Sequence, residues 1–411
     1  MVTETGGMSR TFQSLRHRNF RLFFIGQSIS NSGNWLTSIA ITLLVLRLTH
    51  SGVAVGWLAA CQYGPIMLLS PWGGAIADRS DKHRLLFITQ ALEMAQSIGL
   101  AVLAFRPHPS LFALFALAMA GGVVLALDNP LRRSFVTEMV SQEDRQNAVV
   151  LYSMIVNLSR VFGPALAGVL VTTLGYGWCF SVDAVTYLAV IACLAMMRPE
   201  ELRRVPPRPR QPREVREGLR YLRSVPALSI TYAMLAAIGL LAYNFPVTLP
   251  LFVTHALRGS DAEFTILYSI LSVGSLVSAL WVARRGQVTV RHSIFGAAVL
   301  GLSLLALSAS PTVPVAVMVA FIVGMSSILY TTSTTALVQV RARAEMHGRL
   351  LAIQTILLVG SSAIGGPISG WVADTFGART LIAMGGVTCV LAAIGGYFAE
   401  RRNPDTGESE G

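Results

Sequence analysis

Four ionisable side chains, Glu93, Asp128, Arg160 and Asp183, stand in or at the edge of otherwise apolar runs of this 411-residue chain. An arginine at the centre of a bilayer costs about 2.5–3.5 kcal/mol on insertion scales, so such groups face a protein interior or a water-filled path. A carboxylate held there can alternate between protonated and ionised forms as its access to water changes, which is the chemistry of proton-coupled transport. Asp128 is the first candidate for that step and Glu93 the second. Arg160, in mid-run, is expected to point inward and to meet a carboxylate or an anionic substrate group. Asp183 lies nearer the end of its run and reads as structural.

Other chemistries lack their residues. The single lysine, Lys82, follows Asp81 and not the glycine that a phosphate-cradling loop requires, so nucleotide hydrolysis is not expected. The seven histidines sit at loops or run ends without HExxH spacing, and Cys61, Cys179, Cys193 and Cys389 form no CxxC pair. No catalytic residue, metal site or bound cofactor is therefore expected, and the driving force expected is a proton gradient.

The elements that must position these groups are twelve apolar stretches, near 20–46, 53–77, 85–105, 110–128, 150–173, 176–197, 227–253, 263–283, 292–310, 313–335, 350–372 and 379–399. Each is about the length a helix needs to cross a bilayer. The composition agrees, with 53% hydrophobic and 13% charged residues and a mean hydropathy of +0.59. With the N-terminus inside, alternate loops collect 27 of the 32 Lys and Arg residues, while outside loops hold Arg47, Arg106, Arg258 and Arg379. That asymmetry predicts a multi-pass protein of the cell (inner) membrane with both termini cytoplasmic. It also accounts for the pI of about 10.1 through contact with anionic lipids, so nucleic acid is not an expected partner.

Residues 198–226, with six prolines and nine arginines, divide the chain. The expected organisation is a six-helix bundle over 1–197, a cytoplasmic linker over 198–226, a second bundle over 227–402 and a disordered tail over 403–411. Within the linker, Arg213, Arg216, Arg220 and Arg223 fall on one helical stripe and Val215, Leu219 and Leu222 on another, as in a short helix on a membrane surface, with a solvated charged linker the alternative. The halves match at an offset of 202 residues, pairing Glu143 with Glu345, Gly168 with Gly370, Thr173 with Thr375 and Gly175 with Gly377. With a one-residue slip to an offset of 203, Gly163 and Pro164 face Gly366 and Pro367, which with Gly168 and Gly370 are small residues suited to close helix packing. The expected fold is an all-α membrane protein of two homologous six-helix bundles, a design in which halves rock about a midplane site.

The inner loop after the second span reads Gly73-Gly74-Ala-Ile-Ala-Asp78-Arg79-Ser80-Asp81-Lys82-His83-Arg84. It resembles the loop 2–3 signature of the major facilitator superfamily. Gly26-Gln27-Ser28, Trp35, Gly163-Pro164-Ala-Leu-Ala-Gly168 and Asp183 look like its drug:H⁺ antiporter branch, which includes macrolide, tetracycline and enterobactin exporters. The resemblance implies a gating motif of Gly74, Asp78, Arg79, Lys82 and Arg84, with Asp78 closing the inner side against the start of span 11. It implies a cavity lined by spans 1, 4, 7 and 10, with spans 3, 6, 9 and 12 outside. Candidate lining residues are Asn31, Asn34, Trp35, Tyr243, Asn244 and Tyr330. Two positions depart from the pattern: Asp81 stands where glycine is usual, and Asn34 where this branch often carries Asp. The expected function is secondary active, proton-coupled export of hydrophobic or amphiphilic small molecules by a monomer. A dedicated siderophore or metabolite exporter, an importer, and a non-transporting sensor or scramblase are the alternatives.

Overall fold

The structure, a computed structural model, describes residues 12–203, 214–283 and 289–402. Twelve of its helices are long and apolar enough to cross a membrane. They are α1 (Arg18–Thr49), α2 (Gly52–Arg79), α3 (Lys82–Ala104), α4 (Leu111–Val136), α5 (Arg145–Thr173) and α6 (Tyr176–Ala195), then α7 (Pro226–Ala256). The rest are α8 (Asp261–Ala283), α9 (Val290–Ser308), α10 (Val313–Arg341), α11 (His347–Phe376) and α12 (Ala378–Arg402). Helices are what the sequence must form in lipid, where every backbone amide has to find its partner within the segment.

Local chemistry sets their ends. Asp81, at the loop position where glycine is usual, caps α3 by accepting from the Arg84 amide at 3.1 Å, and Ser110 caps α4 through the Ala113 amide at 3.4 Å. Helix α7 is interrupted after Leu241 and restarts at Phe245, because Pro246 offers no N–H and fits the first turn of a new helix. The linker carries a helix, Glu214–Ser224. It rests on the start of α11, where Glu217 pairs with Arg349 at 2.7 Å and the Tyr221 hydroxyl accepts from the Arg343 amide at 3.1 Å.

The chain forms two compact units, Met1–Val45 with Gly64–Pro209, and Leu46–Tyr63 with Arg210–Gly411. In the first, α3 packs on α4 and α6; in the second, the repeat-related α9 packs on α10 and α12. The repeat reaches backbone detail: the matched Gly175 and Gly377 end their helices with φ of 89° and 90°, a region that favours glycine.

The second unit includes the start of α2 because glycines bring its backbone against α11. A side chain on Gly366 would meet the Gly56 carbonyl, and one on Gly370 the Gly52 backbone. The contact is clasped by Asp374, which accepts from the Gly52 amide at 2.6 Å, the Val53 amide at 3.0 Å and the Ser51 hydroxyl at 2.8 Å. A carboxylate over a helix N-terminus satisfies free amides and opposes the helix dipole. Asp374→Ala is expected to cost about 1–2 kcal/mol and to lower the melting temperature in detergent, with Asp374→Asn intermediate.

In the first unit, Asp144 ties the chain start to the entry of α5. It accepts from Arg16 at 2.8 Å, His17 at 2.7 Å and Ser141 at 3.0 Å. Burial alone would raise its carboxyl, but the hydrogen bonds from His17, Arg16 and Ser141 outweigh burial and hold it below the usual carboxylate range. A depressed folded-state value gives stabilisation that is full above the unfolded value of about 3.9 and fades as pH falls through the folded one. Asp144→Asn should therefore lower thermal stability at pH 7, and the gap from wild type should close in acid.

Candidate functional site

The first unit holds a buried charged cluster built from three helices. On α3, Thr89, Gln90 and Glu93 share one face; on α4, Asp128 and Arg132 are one turn apart; α1 supplies Gln27. Arg132 forms an ion pair with Asp128, donates from Nη2 to Glu93 at 3.0 Å and from Nη1 to the Gln27 side-chain oxygen at 2.8 Å. Asp128 also accepts from the Thr89 hydroxyl at 2.6 Å and from the Gln90 amide at 3.0 Å. Exposure is 1% for Glu93, 0% for Asp128 and 3% for Arg132. Two carboxylates thus share one guanidinium out of water, an arrangement whose electrostatics depend on every member being present.

A second polar group lies in the same unit. Asp183 of α6 accepts from the hydroxyls of Thr37 at 2.6 Å and Ser97 at 2.7 Å, and its neighbour Tyr187 donates to the Asn34 side-chain oxygen. Gly33 makes room, since a side chain there would meet Asp183 and Thr186.

The structure brings Asp128 and Glu93 together, and it changes several other expectations. Arg160, expected to point inward toward a carboxylate, is exposed on α5 and has no carboxylate partner among the described residues. Its backbone lies one turn from Gly163, where a side chain would meet Trp35 of α1, yet its own side chain is exposed. Spans 3 and 6, expected on the outside, supply Glu93, Asp183 and Tyr187 to the interior of the unit. Tyr330 and Asn244, expected to line a cavity, are 0% and 1% exposed. Tyr330 is enclosed because Gly296 lets α9 approach its backbone, and Asn244 donates to the Leu240 carbonyl at 2.7 Å where α7 breaks. Tyr243 is half-buried and donates to the Ser327 carbonyl at 2.6 Å, while Asn31 donates to the Gln27 carbonyl at 2.8 Å.

Of the loop motif, the Asp78 side chain lies outside the described residues, and Arg79 and Arg84 are exposed. Lys82 is no loop cation: it is buried and pairs with Glu138 at 2.5 Å. Gly163, Pro164, Gly366 and Gly370 are buried in α5 and α11, as is Gly168, and Pro367 is half-buried. Gln27, Thr89, Gln90 and Arg132 are site residues that the apolar-run reading did not select. The signal was the i,i+4 spacing of Asp128 and Arg132, which puts acid and base on one face of a helix.

Twelve spans in two repeat-related units, with charge buried among them, define a polytopic membrane transporter of the major facilitator class. The chain belongs to the transmembrane secretion effector family of that superfamily, whose family model matches residues 9–410. It is 24% identical over 397 residues to the staphyloferrin A transporter of Staphylococcus aureus, covering 93% of this chain and 96% of that one. It is 25% identical over 364 residues to the enterobactin exporter EntS of Salmonella paratyphi A, covering 86% and 85%. Among solved structures, the fold is similar to a bacterial homolog of the human lysosomal transporter Spinster, with TM-score 0.71, 16% identity and coverage of 94% and 97%. It is also similar to the POT family transporter PepTSo, with TM-score 0.77, 12% identity and coverage of 96% and 99%.

Proposed function

We propose that this transporter exports a siderophore or a similar small metabolite in exchange for protons, and that Glu93, Asp128 and Arg132 carry the coupling. The observation that supports the reading most is the buried charge imbalance. With two carboxylates facing one guanidinium, neutrality of the cluster requires one proton, and loss of that proton leaves a net negative charge in a low-dielectric interior. Such a group favours one state of the transporter when protonated and another when ionised, which is what a coupling site needs. The relatives named for staphyloferrin A and enterobactin support a metabolite substrate.

Reconstituted protein with an imposed pH gradient tests the reading. Enterobactin or staphyloferrin A should accumulate against its gradient in the acidic compartment as protons leave it in exchange, and counterflow without any response to pH would overturn the coupling. The expected orientation places the linker and both termini in the cytoplasm. A cysteine at the exposed His108 should then label from outside in intact cells and one at Ser224 should not.

A further inference from the structure

Helix α5 exposes two different kinds of surface. Val150, Met154, Leu158, Phe162 and Leu166 form an apolar row, suited to lipid. Beside it at the inner end and diverging from it toward mid-helix, Ser153, Asn157 and Arg160 form a second exposed row, at intervals of four and three residues that stack them along one line. An unpaired arginine midway along a membrane-spanning helix is not stable against hydrocarbon. The polar row therefore borders water.

At the inner end of this row the structure has a cavity of 330 Å³, lined by Arg133, Tyr152, Ser153 and Asn157 with three valines from α4 and α5. Arg133 is exposed, next in sequence to the buried Arg132. Among the described residues neither Arg133 nor Arg160 has a carboxylate within ion-pair distance. Asn157 uses one amide hydrogen on the Ser153 carbonyl at 2.9 Å, which leaves its second hydrogen and its oxygen to a ligand. One unpaired guanidinium fork, an amide and a phenol along an apolar-walled cavity, with the Arg160 fork one helical turn beyond Asn157 on the same line, suit a ligand with several anionic oxygens, because planar guanidinium groups bind carboxylates in pairs of hydrogen bonds.

We infer that Arg133 and Arg160, with Asn157 and Tyr152, form a subsite for the anionic oxygens of the transported molecule, and so that the substrate is a polycarboxylate or similarly multi-anionic metabolite. This rests on the export reading and narrows its substrate class. Tyr152 links the subsite to the charged cluster, since it lines the cavity and interacts electrostatically with both Arg133 and Arg132.

The test uses the purified full-length protein in detergent with radiolabelled citrate as a trianionic probe, displaced by unlabelled citrate or by its uncharged trimethyl ester. Citrate should compete at least about tenfold better than the ester, and its binding should weaken as salt is raised. Arg133→Gln and Arg160→Gln should each weaken citrate and leave the ester unchanged, the double variant should erase the preference, and Arg→Lys at either site should restore part of it. Arg220→Gln, on the exposed linker helix, should bind like wild type. Equal competition by citrate and ester, preference surviving in the double variant, or no citrate binding by wild type would each overturn the subsite. Should the variants fail to fold, the ester comparison and the salt dependence of wild type decide alone. Failure of the export reading would register separately, as absence of gradient-driven counterflow of any compound by wild type.

Discussion

Replacing Arg132 by alanine is expected to remove most of the folded protein from the membrane, the largest stability effect of any single substitution in the first unit. The guanidinium is buried against Glu93 and Asp128, and deleting one partner of a buried ion pair leaves uncompensated charge, a loss of about 3–5 kcal/mol. Here two carboxylates lose the same partner. Arg132→Lys keeps the charge but cannot reach Glu93, Asp128 and Gln27 together with one planar fork, so it should fold in part and transport poorly. The triple variant Arg132→Ala, Glu93→Gln, Asp128→Asn should recover folded protein, because no net charge remains to be buried. Fluorescence-detected size exclusion of tagged variants reads all three. Normal abundance of Arg132→Ala would mean that the cluster is not the buried unit described above.

The second large effect concerns transport. Glu93→Gln with Asp128→Asn leaves Arg132 in place with hydrogen-bond acceptors but no titratable partner. That variant should retain downhill counterflow and lose accumulation driven by a pH gradient, since nothing in the cluster then alternates in charge. The single variants should fall between, with Asp128→Asn the more damaging because that carboxylate also holds Thr89 and Gln90. Uphill accumulation by the double variant at wild-type level would move the coupling elsewhere, with Asp183 and its hydroxyl partners the next group to examine.

Much of the architecture was legible because the bilayer imposes it: apolar length acts directly on sequence and marks the twelve spans, and the 202-residue repeat recurs in the backbone at Gly175 and Gly377. Glu93 and Asp128 stood out for the same reason, as charges where charge is costly. Arg132 was harder to see because hydropathy ends a span where charge begins. The apolar run stops at 128, whereas α4 continues to Val136, its last turns kept inside by the ion pairs they make. Arg160 shows the complementary limit. Hydropathy gives depth along the helix but not the side of the helix, and the polar row with Ser153 and Asn157 emerges only once the neighbours of α5 are placed. Tyr330 is buried for a reason carried by another segment, the missing side chain at Gly296. The Asp374 clasp joins residues more than 300 positions apart, and no local pattern announces it.

Proton movement tied to substrate movement is the most direct test of the central claim. Wild-type protein would be reconstituted in proteoliposomes carrying an internal pH-sensitive dye, and an outward gradient of enterobactin or staphyloferrin A imposed at equal pH on both sides. Protons should enter as substrate leaves, acidifying the interior, and the Glu93→Gln, Asp128→Asn variant should release substrate without any change in the dye. Substrate release by wild type with the internal pH unmoved would contradict proton exchange through this cluster.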